Sequence, residues 1–300
     1  MKVVKHNKYS MVRQETIAGY LFIIPTLVFY LVLVILPIFV TLTLSFADFN
    51  LLKPIKWIGL SNYLHVFQDP RMKLVFFNSF FFAIMAVIGN VGIGLFLAVL
   101  LNRKIPAFLN YIFRFSYFLP VIIGYVYVAI VWGSLYSTDT GIFNYYLGEL
   151  GIDKIGWLTN PKVVMFSIII MDIWKNCGFF MVIFLAGLQG ISRQYYEAAK
   201  IDGATSGKIF FHITFPLLSP TVFFNIIWCS VNAIQVFDAV YILTQGGPGD
   251  ASRSLVVYIY ENAFQKFNLG YASAISMVLF FVISLLTLLQ SRASKRWVHY

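Results

Sequence analysis

Charged residues are missing from long stretches of this chain, and the gaps have the length of membrane-crossing helices. A helix needs about 20 apolar residues to cross a hydrocarbon core. Uncharged apolar runs extend from Thr16 to Ala47, Leu74 to Asn102, Phe115 to Thr138, Ile213 to Phe237 and Phe267 to Ser291. A sixth run, Val163 to Leu188, is as apolar but carries Asp172 and Lys175. None alternates polar and apolar positions as a barrel strand would, so the pattern predicts an all-α integral membrane protein of six transmembrane helices. The first run follows Lys2, Lys5, Lys8 and Arg13 as a secretory signal would, yet it is far longer than a signal's apolar core and no A-x-A-like site follows. It is expected to be an uncleaved first helix, kinked or locally opened at Pro25 and Pro37.

Composition supports this reading. The 300 residues are 60% hydrophobic and 11% charged, with mean hydropathy +0.80, whereas a soluble domain is about 45–50% apolar and about 25% charged. Such a chain cannot cover its own surface with polar groups, and it is too apolar to be disordered. Its two cysteines, Cys177 and Cys229, lie in apolar runs and provide no disulfide framework. The net charge of +10 is explained by where the basic residues fall. Loops on the side of the termini carry Lys2, Lys5, Lys8, Arg13, Arg103, Lys104, Arg114, Arg193, Lys200, Lys208, Arg292, Lys295 and Arg296, thirteen in all. The opposite loops carry eight: Lys53, Lys56, Arg71, Lys73, Lys154, Lys162, Arg253 and Lys266. This asymmetry predicts both termini in the cytoplasm of a multi-pass cell-membrane protein and makes the basic excess a topological signal, with no nucleic-acid partner. The external segments, residues 48–73 and 139–162, are too short for independent cores, so residues 1–300 are read as one membrane domain.

Catalytic chemistry has no signature here. His6, His65, His212 and His299 are scattered, and no metal-ligand spacing or G-x-S-x-G elbow occurs. The stretch Gly203 to Ile209 imitates a phosphate loop but has three residues between its glycines, and Ile where Ser or Thr should follow Lys208. No cofactor is therefore expected on this chain, and it is read as not an enzyme.

The segment at about residues 190–216 is the one loop on the terminal side long enough to form structure. Ser192 is placed to cap a short helix over Tyr195 to Ile201, Asp202-Gly203 supplies a stop, and a second short helix, Thr205 to His212, is expected to end before Pro216. By pattern alone this is equally an amphipathic hairpin at the headgroup level. However, Glu197-Ala198-Ala199, three residues, Gly203, nine residues and Ile213 resemble the EAA signature of binding-protein-dependent ABC importer permeases, with Phe215 before Pro216 where Leu is usual. Thr244-Gln245-Gly246-Gly247-Pro248, Gly270 to Ala274, and Ser45-Phe46 with Asn62-Tyr63 are similar to segments of the sugar and glycerophosphate (maltose-type) members, a similarity over nearly the whole chain with the importer-permease core at about residues 75–292. The resemblance implies that Glu197, Ala198, Ala199, Asp202 and Gly203 form a coupling element docking on one of two cytoplasmic ATPase subunits, which would hold the ATP and Mg. It also implies a second homologous permease as heterodimer partner, and an external solute-binding protein contacting loops such as Gly246, Gly247 and Pro248.

Polar residues inside a membrane are costly and face the bundle interior or a water-filled cavity. Thr221, Asn225, Trp228, Asn232 and Gln235 follow one another at increments of 4, 3, 4 and 3, a polar stripe along the fifth span. It reads either as interhelical hydrogen bonding or as the lining of a sugar pathway, since amides bind hydroxyls and an indole stacks on a sugar's apolar face. Asp172, Lys175 and Asn176 share one face of the fourth span. The two charges are expected to neutralise one another, with Asn176 assigned to the pathway. An ion-coupled secondary transporter, using Asp172, Lys175 or Asp238 as its ion site, is the alternative. Gly89, Gly92 and Gly94 are expected to permit close helix packing.

Overall fold

The computed structural model describes residues 8–50, 54–103 and 105–298. Lys2, Lys5, His6, Lys53, Lys104 and His299 of the sequence reading lie outside them. In chain order the elements are α1 (Lys8–Tyr30), α2 (Leu36–Leu44), a two-stranded antiparallel ribbon of β1 (Ala47–Asp48) and β2 (Lys56–Trp57), α3 (Ser61–Gln68), α4 (Pro70–Leu101), α5 (Ala107–Ile122), α6 (Tyr125–Leu135), α7 (Ile142–Glu149), α8 (Val164–Gly190), α9 (Arg193–Ile201), α10 (Ser206–Ile209), α11 (Phe215–Ile234), α12 (Asp238–Thr244), α13 (Leu255–Tyr260) and α14 (Leu269–Ser294). Among the described residues, five continuous helices are long and apolar enough to cross a membrane: Glu15–Leu44, Pro70–Leu101, Val164–Gly190, Ser206–Ile234 and Leu269–Ser294.

The third apolar run departs from the expected single helix. It is α5 and α6, bent by 100° at Ile123 and Gly124, and counting the bent pair gives the sixth span. Ile123 and Gly124 are both extended, with ψ of 132° and 143°. Pro120 has no N–H to donate within α5, and the ladder stops three residues later.

Prolines elsewhere are absorbed rather than breaking the chain. A wider π-helical turn, Leu31–Ile35, stands directly before Pro37, with the N–H of Leu36 reaching back to the carbonyl of Leu31. The turn Phe210–Thr214 repeats this before Pro216, through the N–H of Phe215 to the carbonyl of Phe210. An extra residue in the turn moves the ladder past the missing donor and the crowded carbonyl. The expected stop before Pro216 is therefore absent: α10 runs through the π turn into α11 as one helix. Pro25 is likewise carried inside α1 without interruption.

Packing concentrates on α4 and α8. Gly94 lets α4 approach α8 so closely that a Cβ there would lie 2.7 Å from that of Phe180. Gly89 faces Ile173, whereas Gly92 faces open space and serves no such contact. One buried cluster, including Phe82, Ile168, Met171, Ile234, Leu255 and Ile275, fills the end of the bundle that carries α12 and α13. A second, including Leu97, Ala98, Phe184, Leu185 and Leu218, fills the end that carries α9. The segments singled out by resemblance converge at the first end. Asn62 donates from Nδ2 to the carbonyls of Ser45 and Ala47, both at 2.9 Å, and Ser45 Oγ meets Tyr63 Oη at 2.7 Å. Gly270 has no side chain because the Ala47 carbonyl occupies that space, 2.0 Å from where a Cβ would stand.

Candidate functional site: a polar cavity beside a broken helix

Between the two apolar clusters lies a cavity of about 360 Å³, bounded by α4, the α5–α6 break, α8 and the end of α11 that leads to α12. Asn90, Tyr125, Asp172, Asn176, Trp228, Asn232, Gln235 and Asp238 supply its polar groups; Phe82, Phe179, Phe180 and Phe237 supply aromatic walls.

Asp172 is 6% exposed. Its Oδ1 accepts from Tyr125 Oη at 2.5 Å and Asn176 Nδ2 at 2.9 Å, and its Oδ2 from Asn90 Nδ2 at 2.9 Å. Three donors from α4, α6 and α8 thus converge on one acceptor, and the geometry suits an ionised carboxylate, which donates nothing in return. Lys175 points elsewhere. Its Nζ donates to the carbonyls of Pro120 and Val121 at 3.4 and 3.3 Å, and lies 4.5 Å from the centroid of the Tyr125 ring. Those carbonyls end α5, where the bend removes their helical donors, and a cation at a helix C-terminus meets both the orphaned oxygens and the dipole. The expected direct neutralisation of Asp172 by Lys175 is thus replaced: the carboxylate is held by neutral donors, the ammonium by a broken helix end.

The polar stripe divides. Trp228, Asn232 and Gln235 line the cavity. Asn232 and Gln235 each spend one N–H on their own helix, to the carbonyls of Trp228 and Val231 at 2.7 and 2.8 Å, which leaves their amide oxygens for a ligand. Asn225 does not reach the cavity. It is fully buried one turn further along α11, with both amide atoms unpartnered among the described residues. Thr221 packs against Gly187 of α8.

At the opposite end of α11, the expected cap is present, with Ser192 Oγ accepting from the Gln194 N–H at 3.4 Å. Gly203 closes α9 at φ +73°, a left-handed conformation that a side chain would strain. Ala199 is buried against the bundle, while Glu197, Ala198, Asp202 and Gly203 are exposed, as are Tyr195 and Ile201. Thr214 Oγ1 donates to Tyr196 Oη at 3.3 Å, tying α9 to the foot of α11.

The loop Thr244–Pro248 is folded tightly inward. Gly246 is buried with φ +86°, the Gly247–Pro248 peptide is cis, and Ser252 Oγ donates to the Gly247 carbonyl at 2.6 Å. Beyond it is a network that sequence spacing did not reveal, because its members are far apart in the chain. Asp250 accepts from Arg71 Nε and Nη2 at 2.8 and 2.7 Å and from Arg253 Nε at 2.5 Å; Arg253 also pairs with Glu261. Asp69 accepts from Tyr258 Oη at 2.5 Å and Tyr271 Oη at 2.9 Å. The Arg71 guanidinium, aided by Arg253, holds the Asp250 carboxyl below the usual carboxylate range despite partial burial. A carboxyl whose folded pKa is depressed adds stability that is complete above its unfolded value and is lost as pH falls through the folded one. Thermal unfolding of the solubilised protein is accordingly expected to be insensitive to this group from pH 7 to about 5 and to weaken below about pH 4. Asp250→Asn should melt lower at pH 7 and lose less on acidification; acid curves of identical shape for the two proteins would contradict this.

The fold and this site define a class: a multi-pass helical membrane protein with a solute-sized polar cavity inside its bundle and no catalytic constellation among the described residues. The sequence model for the inner membrane component of binding-protein-dependent transport systems matches residues 90–299, and the chain belongs to that family. It is thus a translocation subunit of an ABC importer rather than an enzyme. It is 37% identical over 98% of its length, and 96% of the relative's, to a probable ABC transporter permease protein, YesP, of Bacillus subtilis. It is 34% identical over 94% of its length to the trehalose/maltose transport system permease protein MalF of Thermococcus litoralis, covering 95% of that protein. A bacterial alginate ABC transporter, solved with its alginate pentasaccharide-bound periplasmic protein, shares the fold with TM-score 0.86 at 22% identity, over 97% of this chain and 98% of that one.

Proposed function

We propose that this subunit forms half of the membrane pathway for a sugar or oligosaccharide handed over by an external solute-binding protein. The observation that carries the reading is the cavity itself, whose lining combines the amides of Asn232 and Gln235 with aromatic side chains, the combination that binds hydroxyls and the apolar faces of sugar rings. Its support from relatives is that a trehalose/maltose permease is similar along nearly the whole chain. Asn176, Trp228, Asn232 and Gln235 are the contact residues, and Asp172 positions Asn176 and Tyr125.

The termini and α9 face the cytoplasm in this reading. There α9 and α10 dock on one of two ATPase subunits, which hold ATP and Mg, with Glu197 paired to a basic residue, Ala198 permitting close approach, Ala199 packed inward, and Asp202-Gly203 setting the turn. Because α10 and α11 are one helix, movement of the docked pair reaches Trp228, Asn232 and Gln235 directly. A second homologous permease completes the cavity, and the solute-binding protein meets the opposite end near Gly246, Gly247 and Pro248. Replacing Asn232 and Gln235 together by leucine is expected to cut sugar uptake by the reconstituted complex at least about tenfold, by losing roughly 1–2 kcal/mol per hydrogen bond, while ATP hydrolysis without substrate persists. Normal uptake by the double variant would reject the cavity as the pathway.

A further inference from the structure

We propose that this cavity accepts uncharged saccharides and rejects acidic ones, and that Asp238 sets the preference. The inference rests on the carbohydrate reading above and names the charge class of its ligand. Among the described residues no lysine, arginine or histidine lines the cavity, whereas two carboxylates do. Lys175, which lies behind Tyr125, is 4% exposed and committed to the carbonyls of Pro120 and Val121. Asp172 already accepts from Tyr125, Asn90 and Asn176, so its charge is felt in the cavity while most of its acceptor capacity is taken. Asp238 differs. It is exposed at the start of α12 and makes no hydrogen bond or ion pair with the described residues.

Together with the free amide oxygens of Asn232 and Gln235, Asp238 makes this wall rich in acceptors. Sugar hydroxyls, which donate, fit such a wall. A uronate or phosphate would surrender its hydration, meet no cation from this chain's wall, and face like charges, a mismatch that is heavily penalised. The alginate importer that shares this fold carries an acidic polysaccharide, so the fold does not decide the matter; the side chains lining the cavity do.

The test is a fluorescence titration of the solubilised complex of the full chain with its partner permease and ATPases, without the solute-binding protein. Trp228 lies on the cavity wall and reports its occupancy; the signal is assigned by its loss in Trp228→Phe. The probes are the neutral trisaccharides maltotriose, cellotriose and xylotriose, and the acidic trisaccharide trigalacturonate. At pH 7 at least one neutral sugar should give a saturable change, with trigalacturonate at least about tenfold weaker. Asp238→Asn should narrow that gap to about threefold or less by improving the acidic sugar, since it removes one of the two repelling charges. Trigalacturonate binding as well as the neutral sugars, or an unchanged gap in Asp238→Asn, would overturn the charge preference and leave the carbohydrate reading standing. No response to any neutral sugar would overturn both.

Discussion

Glu197→Lys is expected to leave the complex assembled in the membrane and to reduce solute uptake at least about thirtyfold. Glu197 is exposed on α9 beside Ala198, while Ala199 on the other face anchors the helix to the bundle. Changing Glu197 therefore disturbs no internal packing. Breaking one partner of a buried, hydrogen-bonded charge pair at an interface costs about 2–5 kcal/mol, and each 1.4 kcal/mol is a factor of ten. Reversal adds repulsion to that loss. ATP hydrolysis should continue without responding to substrate-loaded binding protein, because motor and pathway are disconnected rather than broken. The check is a parallel assay of uptake and ATP turnover in reconstituted vesicles. Coupled uptake at the normal rate would show that α9 does not receive the motor's work.

The second large effect is expected at Asp172. Asp172→Ala removes the shared acceptor of Tyr125, Asn90 and Asn176. A buried donor left without its acceptor costs about 1–3 kcal/mol, and with three of them about 3–5 kcal/mol should be lost. Asp172→Asn preserves the shape but sets an amide donor against the remaining donors, and about 1–3 kcal/mol should be lost. Thermal unfolding in detergent should rank wild type above Asp172→Asn above Asp172→Ala. Equal melting of the alanine variant and the wild type would show that the three donors find other partners and that the carboxylate does not organise the site.

Much of the fold was legible because charge gaps and helix length are local properties. The cap at Ser192, the turn at Gly203 and the polar face shared by Trp228, Asn232 and Gln235 could be read for the same reason. The break at Ile123–Gly124 was obscured by apolarity on both sides, although Pro120 followed four residues later by Gly124 is a local signal of a ladder under strain. Pro216 misled in the other direction, since proline forbids a donor but does not forbid a π turn that makes the donor unnecessary. The partners of Asp172 and Lys175 were hidden because i, i+3 spacing places two groups on one face without saying what the neighbouring helices offer each of them. Asp250 with Arg71 lay beyond reach altogether, for 179 positions separate the two.

What α9, the unbroken helix from Ser206 to Ile234 and the cavity at its far end imply together is a pathway driven by a separate motor. The direct measurement is uptake of labelled solute into sealed vesicles containing the full transporter and its loaded binding protein. ATP is enclosed with the ATPase side, and ionophores are added to collapse every ion gradient. Uptake against a concentration gradient should persist with the ionophores and stop when ATP is replaced by a non-hydrolysable analogue. Uptake that survives the analogue and fails with the ionophores would contradict the account and make Asp172 or Asp238 the ion site of a secondary transporter.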